Sequence, residues 1–293
     1  MCQPTILILG KNGQVGWELQ RTLAPLGRIV ARDFPEVDFT NPDALTRLVL
    51  EIEPALIVNA AAYTAVDRAE SEPDLAHKIN AAAPAVLAEA ARKVNAWMVH
   101  FSTDYVFDGE KRAPYVETDA PNPLGVYGRS KLEGDLAVQA SGAKHLIFRL
   151  CWVYGARGQN FMLTMQRLAR EREVLRVVSD QVGAPTWSRA IAESMAPVAH
   201  QVLNNPAMTG SSGVYHLACA AQTTWHGFAR RIVESMPESE RKTREVVPIT
   251  ASEYPTAARR PAWSVMDCSK LEKVFKLRLP NWEDALRLVL ESR

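Results

Sequence analysis

Cysteine is scarce and scattered in this chain of 293 residues: Cys2, Cys151, Cys219 and Cys268 form no Cys-x-x-Cys pair. That excludes a disulfide framework and a cysteine-built zinc cage. With no signal-like leader, it leads us to expect a reducing compartment, the cytoplasm. No apolar run reaches the ~18 residues of a membrane-spanning helix, so none is expected. An excess of charge of one sign is also missing, since 34 basic and 33 acidic residues leave a net charge of +1. A broad electrostatic footprint for nucleic acid or an anionic membrane is thereby excluded, while small polar or phosphorylated ligands stay open. The histidines, His77, His100, His145, His200, His216 and His226, show neither His-x-x-x-His nor His-Glu-x-x-His spacing, which gives a histidine metal site little support. A Gly-x-Ser-x-Gly elbow, the commonest serine-hydrolase signature, is absent too.

What is present is an ordinary globular composition, 47% hydrophobic and 23% charged, in a chain long enough for one large or two unequal domains. Short apolar runs at Thr5–Leu9, Arg28–Ala31, Leu56–Asn59, Trp97–Phe101 and His145–Leu150 read as strands. Between them lie an amphipathic stretch from Val15 to Leu23 and a helix capped by Asn41 and opened by Pro42. A long alanine-rich helix from Pro73 to Lys93 follows, with Pro84 a kink or restart, and then the helix bearing Tyr127 and Lys131. Such alternation predicts an α/β fold, a doubly wound parallel sheet with helices on both faces. After Tyr154 the alternation weakens and prolines become frequent. Residues 1–154 are therefore expected to form the sheet domain, and 155–293 mainly a smaller lobe closing over it, with an interleaved boundary.

Ligands of such sheets bind beyond the carboxyl ends of the strands, and the candidate residues gather there. Gly10-Lys11-Asn12-Gly13-Gln14-Val15-Gly16 follows the first strand. Its missing side chains let the backbone approach a pyrophosphate at the positive end of the helix starting near Gln14, as a dinucleotide-binding domain requires. Asp33, after strand two, can accept hydrogen bonds from an adenosine ribose and would repel a 2′-phosphate; Arg32 and Lys11 would attract one, so NADH and NADPH both stay open. Asp38-Phe39 can flank an adenine or form the turn that leads into the next helix. Asn59 to Tyr63 follow strand three, Thr103 strand four and Trp152 strand five. Tyr127 and Lys131, four apart, are neighbours on a helix face. An ammonium beside a phenol of reference pKa about 10 favours its ionised form and yields a proton donor near neutral pH.

Taken together, the Gly-x-x-Gly-x-x-Gly spacing, Thr103, Tyr127 and Lys131 make the first half resemble the short-chain dehydrogenase/reductase family, especially its extended members. Further stretches carry the resemblance over nearly the whole chain, to the branch that reduces dTDP-linked 4-ketosugars. They are Asn59-Ala-Ala-Ala-Tyr-Thr-Ala-Val-Asp67, Ser102-Thr-Asp-Tyr-Val-Phe107, Arg149-Leu-Cys-Trp152-Val-Tyr154, Asp180-Gln-Val-Gly-Ala-Pro-Thr186 and Arg260-Pro261. The resemblance implies an NADPH- or NADH-dependent oxidoreductase, monomer or homodimer. It would reduce the C4 ketone of dTDP-6-deoxy-L-lyxo-4-hexulose to dTDP-L-rhamnose for polysaccharide synthesis.

In that reading Tyr127 gives a proton to the alkoxide, Lys131 lowers the phenol pKa and holds the nicotinamide ribose, and Thr103 bonds the ketone oxygen or the tyrosine. Asp104 and Trp152 line the sugar pocket, and Arg260 forks onto the diphosphate. The cofactor is held by Gly10, Asn12, Gly13, Gln14, Val15, Gly16, Asp33, Asp38, Phe39, Ala61, Ala62, Tyr63 and Asn80 together with Tyr127 and Lys131. Plainer readings stand beside these: Thr103 as a strand terminator, Trp152 as core, Asn80 bonded to backbone, Arg260 as a surface charge.

Some relatives of this kind carry magnesium at a dimer interface, held by glutamates in the first helix and just after the Gly-Ala-Pro-Thr run. Glu18 matches the first, but the second position is Arg189, and an arginine cannot ligate a cation, which weighs against the metal and its dimer. Two other functions share these motifs. A nucleotide-sugar epimerase or dehydratase would need the same Tyr/Lys pair, although dehydratases usually add acidic residues beside Thr103, and here there is only Asp104. A non-catalytic regulatory subunit of methionine adenosyltransferase would keep the cofactor site alone.

Overall fold

The computed structural model describes residues 3–291. Six parallel strands form the central sheet, in the order Gly213–Leu217, β5 (Lys144–Leu150), β4 (Trp97–Thr103), β3 (Leu56–Asn59), β1 (Thr5–Leu9), β2 (Arg28–Arg32). Alternate side chains of one strand serve opposite faces. Ile6 and Ile8 pack with Leu19 and Leu23 around α1 (Gln14–Thr22), while Leu7 and Leu9 pack with Leu45 and Val49 of α2 (Pro42–Ile52). Because both faces are covered, β1 and β3 read as unbroken apolar runs. The Asn41 side chain caps α2 by accepting from the Ala44 N–H at 3.0 Å, and Glu53 ends it in a left-handed conformation just before Pro54.

The predicted long helix from Pro73 to Lys93 is divided. After the short α3 (Val66–Ala69), α4 (Pro73–His77) passes through a π-type turn at Lys78–Ala82 into α5 (Ala83–Lys93). Proline at 84 has no N–H, and its ring would strike the carbonyl of residue 80 in a regular α-helix. Widening the turn so that the Ala83 N–H reaches the Lys78 carbonyl removes the conflict. β4 runs on through Thr103, two residues beyond the predicted end, and α6 (Val126–Ala140) carries Tyr127 and Lys131.

The sixth strand comes from the C-terminal half, where α7 (Phe161–Glu171), α8 (Ser188–Asn204) and α9 (Trp225–Glu234) also lie. α8 packs along α1. The Asp180–Thr186 run is stitched to the Arg260–Pro261 segment, with the Val182 N–H donating to the Ala262 carbonyl at 2.9 Å and the Ser264 N–H to the Val182 carbonyl at 2.7 Å.

The Asp38-Phe39 pair forms the turn that leads into α2. Asp38 accepts from the Thr40 N–H at 2.8 Å and the Thr40 hydroxyl at 2.7 Å, bracing the turn before α2, and Phe39 is buried with Val37 and Leu45. Phe39→Ala should therefore cost about 3 kcal/mol of stability in chemical denaturation, with no measurable loss of dinucleotide affinity by titration calorimetry.

Candidate active site

Gly10 closes β1 at φ +81°, and a Cβ there would stand 2.6 Å from the Ala61 nitrogen; one on Gly16 would stand 2.0 Å from the Gly10 carbonyl oxygen. Only bare backbone lets this turn seat the N-terminus of α1 against the end of β1. Gly13 caps the helix without a side chain, leaving its first N–H groups facing outward. The Asn12 N–H donates to Asp33 Oδ2 at 2.9 Å, so the carboxylate at the end of β2 borders the loop as expected. Both nearby cations already have partners, Lys11 in Glu36 at 2.7 Å and Arg32 in the Ala31 carbonyl at 2.9 Å. A glycine cradle at a helix N-terminus with a carboxylate at the next strand end fits the diphosphate and ribose of a dinucleotide. Gln14 turns its Oε1 to Asn160 Nδ2 at 2.9 Å, and Val15 packs on the core.

After β3 the chain runs through half-buried Ala61 and Ala62 to Tyr63, whose hydroxyl donates to Glu72. Asn80 does not reach toward a ligand. It is wholly buried, accepts from the Tyr63 N–H at 2.8 Å, and gives its own amide protons to the Tyr63 carbonyl and Ser130 Oγ, each at 3.1 Å. Its amide thus clamps the loop after β3 to α6.

Tyr127 and Thr103 are brought together at the carboxyl end of β4. Burial pushes the half-buried phenol up to about 12; the Thr103 hydroxyl beside it acts the other way, and the carboxylates of Asp104 and Asp135 raise it further. The expected lysine effect is not there. Lys131 Nζ turns inward, donating to the Phe101 carbonyl at 2.7 Å and lying 3.2 Å from His100 Nε2, and burial pulls its pKa down to about 8. The cause is the buried polar face of α6, which draws the ammonium into the sheet. Thr103 Oγ donates to Asp104 Oδ1 at 3.1 Å and accepts from the Tyr105 N–H at 3.2 Å. Asp104 is buried, with the Cys151 thiol 3.6 Å from Oδ2, and desolvation pushes its pKa up to about 6.

Trp152 stands at the mouth in a left-handed conformation, φ +43°, stacked on Trp225 at 3.6 Å between ring centroids. Its indole lies over Gly183, where a Cβ would come within 2.5 Å of the ring. Arg260 Nη2 donates to Asp67 Oδ2 at 2.7 Å, and its guanidinium contacts the Tyr105 hydroxyl. Tyr105 in turn meets Tyr127 edge to face at 5.4 Å. Arg260 also lines a cavity of about 930 Å³, together with Trp225, Phe161, Tyr254, Arg172, Arg176 and Arg259.

The sequence profile described as the RmlD substrate binding domain matches residues 4–293. A dTDP-4-dehydrorhamnose reductase of Burkholderia thailandensis is 49% identical over 98% of this chain and 98% of its own length. The chain belongs to the dTDP-4-dehydrorhamnose reductase family. Solved structures agree. The reductase of Clostridium acetobutylicum superposes with a TM-score of 0.90 at 37% identity, covering 98% of this chain and 99% of that one. The reductase of Bacillus anthracis, solved in complex with NADP, also gives 0.90, at 35% identity and 99% and 100% coverage.

Within this reductase-family chain, Glu18 is desolvated, which raises its pKa, and Arg189, Arg21 and Arg157 pull it back down. Arg189 itself pairs with Glu193 at 3.1 Å. Among the described residues no cluster of three or more His, Cys, Asp or Glu side chains could hold a metal, and no helix is long and apolar enough to cross a membrane.

Sequence reasoning missed His100, Asp135 and Arg149 beneath Lys131, and Trp225 behind Trp152. Asp135 alone carried a signal, standing four residues after Lys131 and so on the same helix face. Two outcomes test this geometry. Gly183→Ala should displace the Trp152 indole, quenching or shifting Trp fluorescence. The unfolded Asp104 carboxyl ionises near 3.9 and the folded one near 6. Between those values the folded state binds more protons at this carboxyl, so the contribution of Asp104 to stability falls as pH rises from about 4 to 6 and then levels off. Asp104→Asn should flatten that slope in denaturant titrations.

Proposed function

We propose that the protein reduces the C4 ketone of dTDP-6-deoxy-L-lyxo-4-hexulose (dTDP-4-dehydro-L-rhamnose) to dTDP-L-rhamnose in the cytoplasm. NADPH or NADH is the reductant and Tyr127 the proton donor. The observation that carries this is the Tyr127 phenol, held protonated at neutral pH beside Thr103 and in edge contact with Tyr105, whose hydroxyl meets the cavity-lining Arg260. A general acid must hold its proton until negative charge develops next to it, and a buried phenol does so.

The dinucleotide, when bound, supplies the hydride. The chain does the rest. The loop from Gly10 to Gly16 and Asp33 fix the diphosphate and ribose, and Lys131 reaches the nicotinamide ribose through an N–H left over from its inward bonds. The Thr103 hydroxyl beside the phenol orients the Tyr127 oxygen and leaves the phenol proton free for the substrate. The ketone oxygen then takes its proton from Tyr127. The stacked Trp152 and Trp225 form the wall against which the deoxysugar lies. Arg260, held by Asp67, recognises the diphosphate with the other arginines that line the cavity, while Phe161 and Tyr254 are the aromatic residues there for the base. A cavity of about 930 Å³ has the capacity for a nucleotide sugar. The Bacillus anthracis relative's NADP complex supports the cofactor assignment.

The test is loss of nicotinamide absorbance when the purified protein meets the dTDP-4-ketosugar. Tyr127→Phe should retain cofactor binding and lose roughly 10²- to 10⁴-fold in kcat. Equal inertness of the two proteins would end the catalytic reading, and equal activity would remove Tyr127 from the chemistry.

A further inference from the structure

Where β2 meets the glycine loop, two carboxylates share one corner. Asp33 Oδ2 accepts from the Asn12 N–H at 2.9 Å and Oδ1 from the Phe34 N–H at 2.8 Å, so backbone donors pin this carboxylate at both oxygens. Glu36, exposed and three residues on, turns back over the same corner. Its Oε2 accepts from the Asp33 N–H at 3.3 Å, and its two oxygens straddle Lys11 Nζ at 2.9 and 2.7 Å. The Val37 N–H donates to the Asp33 carbonyl at 3.1 Å and closes the turn that brings Glu36 round. Lys11 is anchored from the other side. The Arg32 carbonyl accepts from the Gly10 N–H at 3.0 Å and the Lys11 N–H at 3.4 Å, and Gln20 Nε2 donates to the Lys11 carbonyl at 2.9 Å.

As the end of the second strand beside a glycine cradle, this corner is where an adenosine ribose sits. A free 2′-hydroxyl can donate to Asp33, because each carboxylate oxygen keeps a lone pair beyond its one backbone bond. A 2′-phosphate would instead bring negative charge against a carboxylate that cannot turn away, and would need a cation to offset it. Lys11 and Arg32 are the cations here. Arg32 Nη1 donates to the Ala31 carbonyl at 2.9 Å, and the ammonium of Lys11 is matched by Glu36. The hydrogen bond from Lys11, helped by the Asp33 N–H and the Arg32 charge, holds Glu36 below the usual carboxylate range, so it is ionised at neutral pH. Two carboxylates therefore balance two cations, and removing Glu36 alone would leave the corner positive.

We infer that Glu36 is a specificity-determining residue that makes the protein prefer NADH to NADPH, by occupying Lys11 and keeping a second negative charge beside the 2′ position of the adenosine ribose. Discrimination of this kind comes from the repulsive element as much as from the attractive one. A relative 35% identical was solved with NADP, so these residues set a preference and not an exclusion. The preference rests on the dinucleotide reading of the glycine loop and is independent of which sugar is reduced.

Titration calorimetry of the full chain with NADH and with NADPH tests it without turnover. Wild type should bind NADH about tenfold or more tightly than NADPH at low ionic strength, and added salt should narrow the gap. Glu36→Gln keeps the size of an exposed side chain, frees Lys11 and removes one charge. The affinity ratio should then move about fivefold or more toward NADPH. Lys11→Met combined with Glu36→Gln restores the net charge but gives the phosphate no ammonium, and should cancel that shift. A wild-type ratio that favours neither coenzyme or favours NADPH, a ratio unmoved by Glu36→Gln, or a shift that survives loss of Lys11 overturns the inference. If neither coenzyme binds, the dinucleotide reading fails and the preference with it. If the coenzymes bind in the stated ratio but no ketosugar is reduced, the preference stands and only the proposed reaction fails.

Discussion

The crevice depends on the seating of α6 against β4 and β5 by polar groups removed from water. Most helices of this chain bury an apolar stripe, as α2 does through Leu45 and Val49. The buried face of α6 is instead Gly128, Ser130, Lys131, Gly134 and Asp135, with Val138 its one large apolar member. Burying an ammonium and a carboxylate costs more desolvation than an aliphatic face would, and the cost is offset only where their bonds are well made. Lys131 meets that condition through the Phe101 carbonyl and its contact with His100, whereas Asp135 has the Ser102 hydroxyl on Oδ2 and the Arg149 guanidinium at 3.5 Å but leaves Oδ1 without a hydrogen-bond partner. The return on this arrangement is register. The polar partners follow one another along β4 from His100 to Ser102, with Arg149 of β5 paired to Ser102, so α6 cannot slide by a turn without stranding a buried charge, and Tyr127 is fixed beside Thr103.

Much of this was legible in the chain itself. The five strands of the first half, the Asn41 cap and the glycine turn follow from local chemistry: β-branched runs, a capping side chain, residues without Cβ. The convergence of Gly10, Asp33, Thr103 and Trp152 at one edge follows from parallel topology alone. What local chemistry does not carry is partner choice across long separations. Lys131 was expected to turn toward Tyr127 because the two are neighbours on a helix face. The decisive partner is His100, thirty-one residues earlier in the chain, and nothing in the spacing of one helix reveals which strand it will cover. Phe39 and Asn80 show the same limit in milder form. Each is of a residue type that binds ligands, and each was claimed instead by the nearest unfilled need of the scaffold, an apolar gap in one case and an unpaired loop amide in the other.

The C-terminal half completes what the first half begins. Gly183 is bare because the Trp152 ring occupies the space above it, and Trp225, on α9, completes the stack. The run from Asp180 to Thr186 is bonded through backbone to the segment after Arg260. A stretch that looks like a sequence signature is thus a splice between two walls of one cavity, one aromatic and one cationic. Its specificity as a motif reflects the number of separate contacts that meet there.

The outer strand Gly213–Leu217 pairs along β5 although more than sixty residues of helix and loop separate them. While the polypeptide is being made, β5 emerges from the ribosome long before its neighbour does, and its flank of open amides and carbonyls must wait. Apolar Leu146, Ile147 and Phe148 sit on that waiting flank, each wholly buried in the finished protein. Chaperone demand and aggregation during synthesis should therefore peak over this interval, and nascent chains stalled within it are the ones exposed to strand-to-strand association with their neighbours.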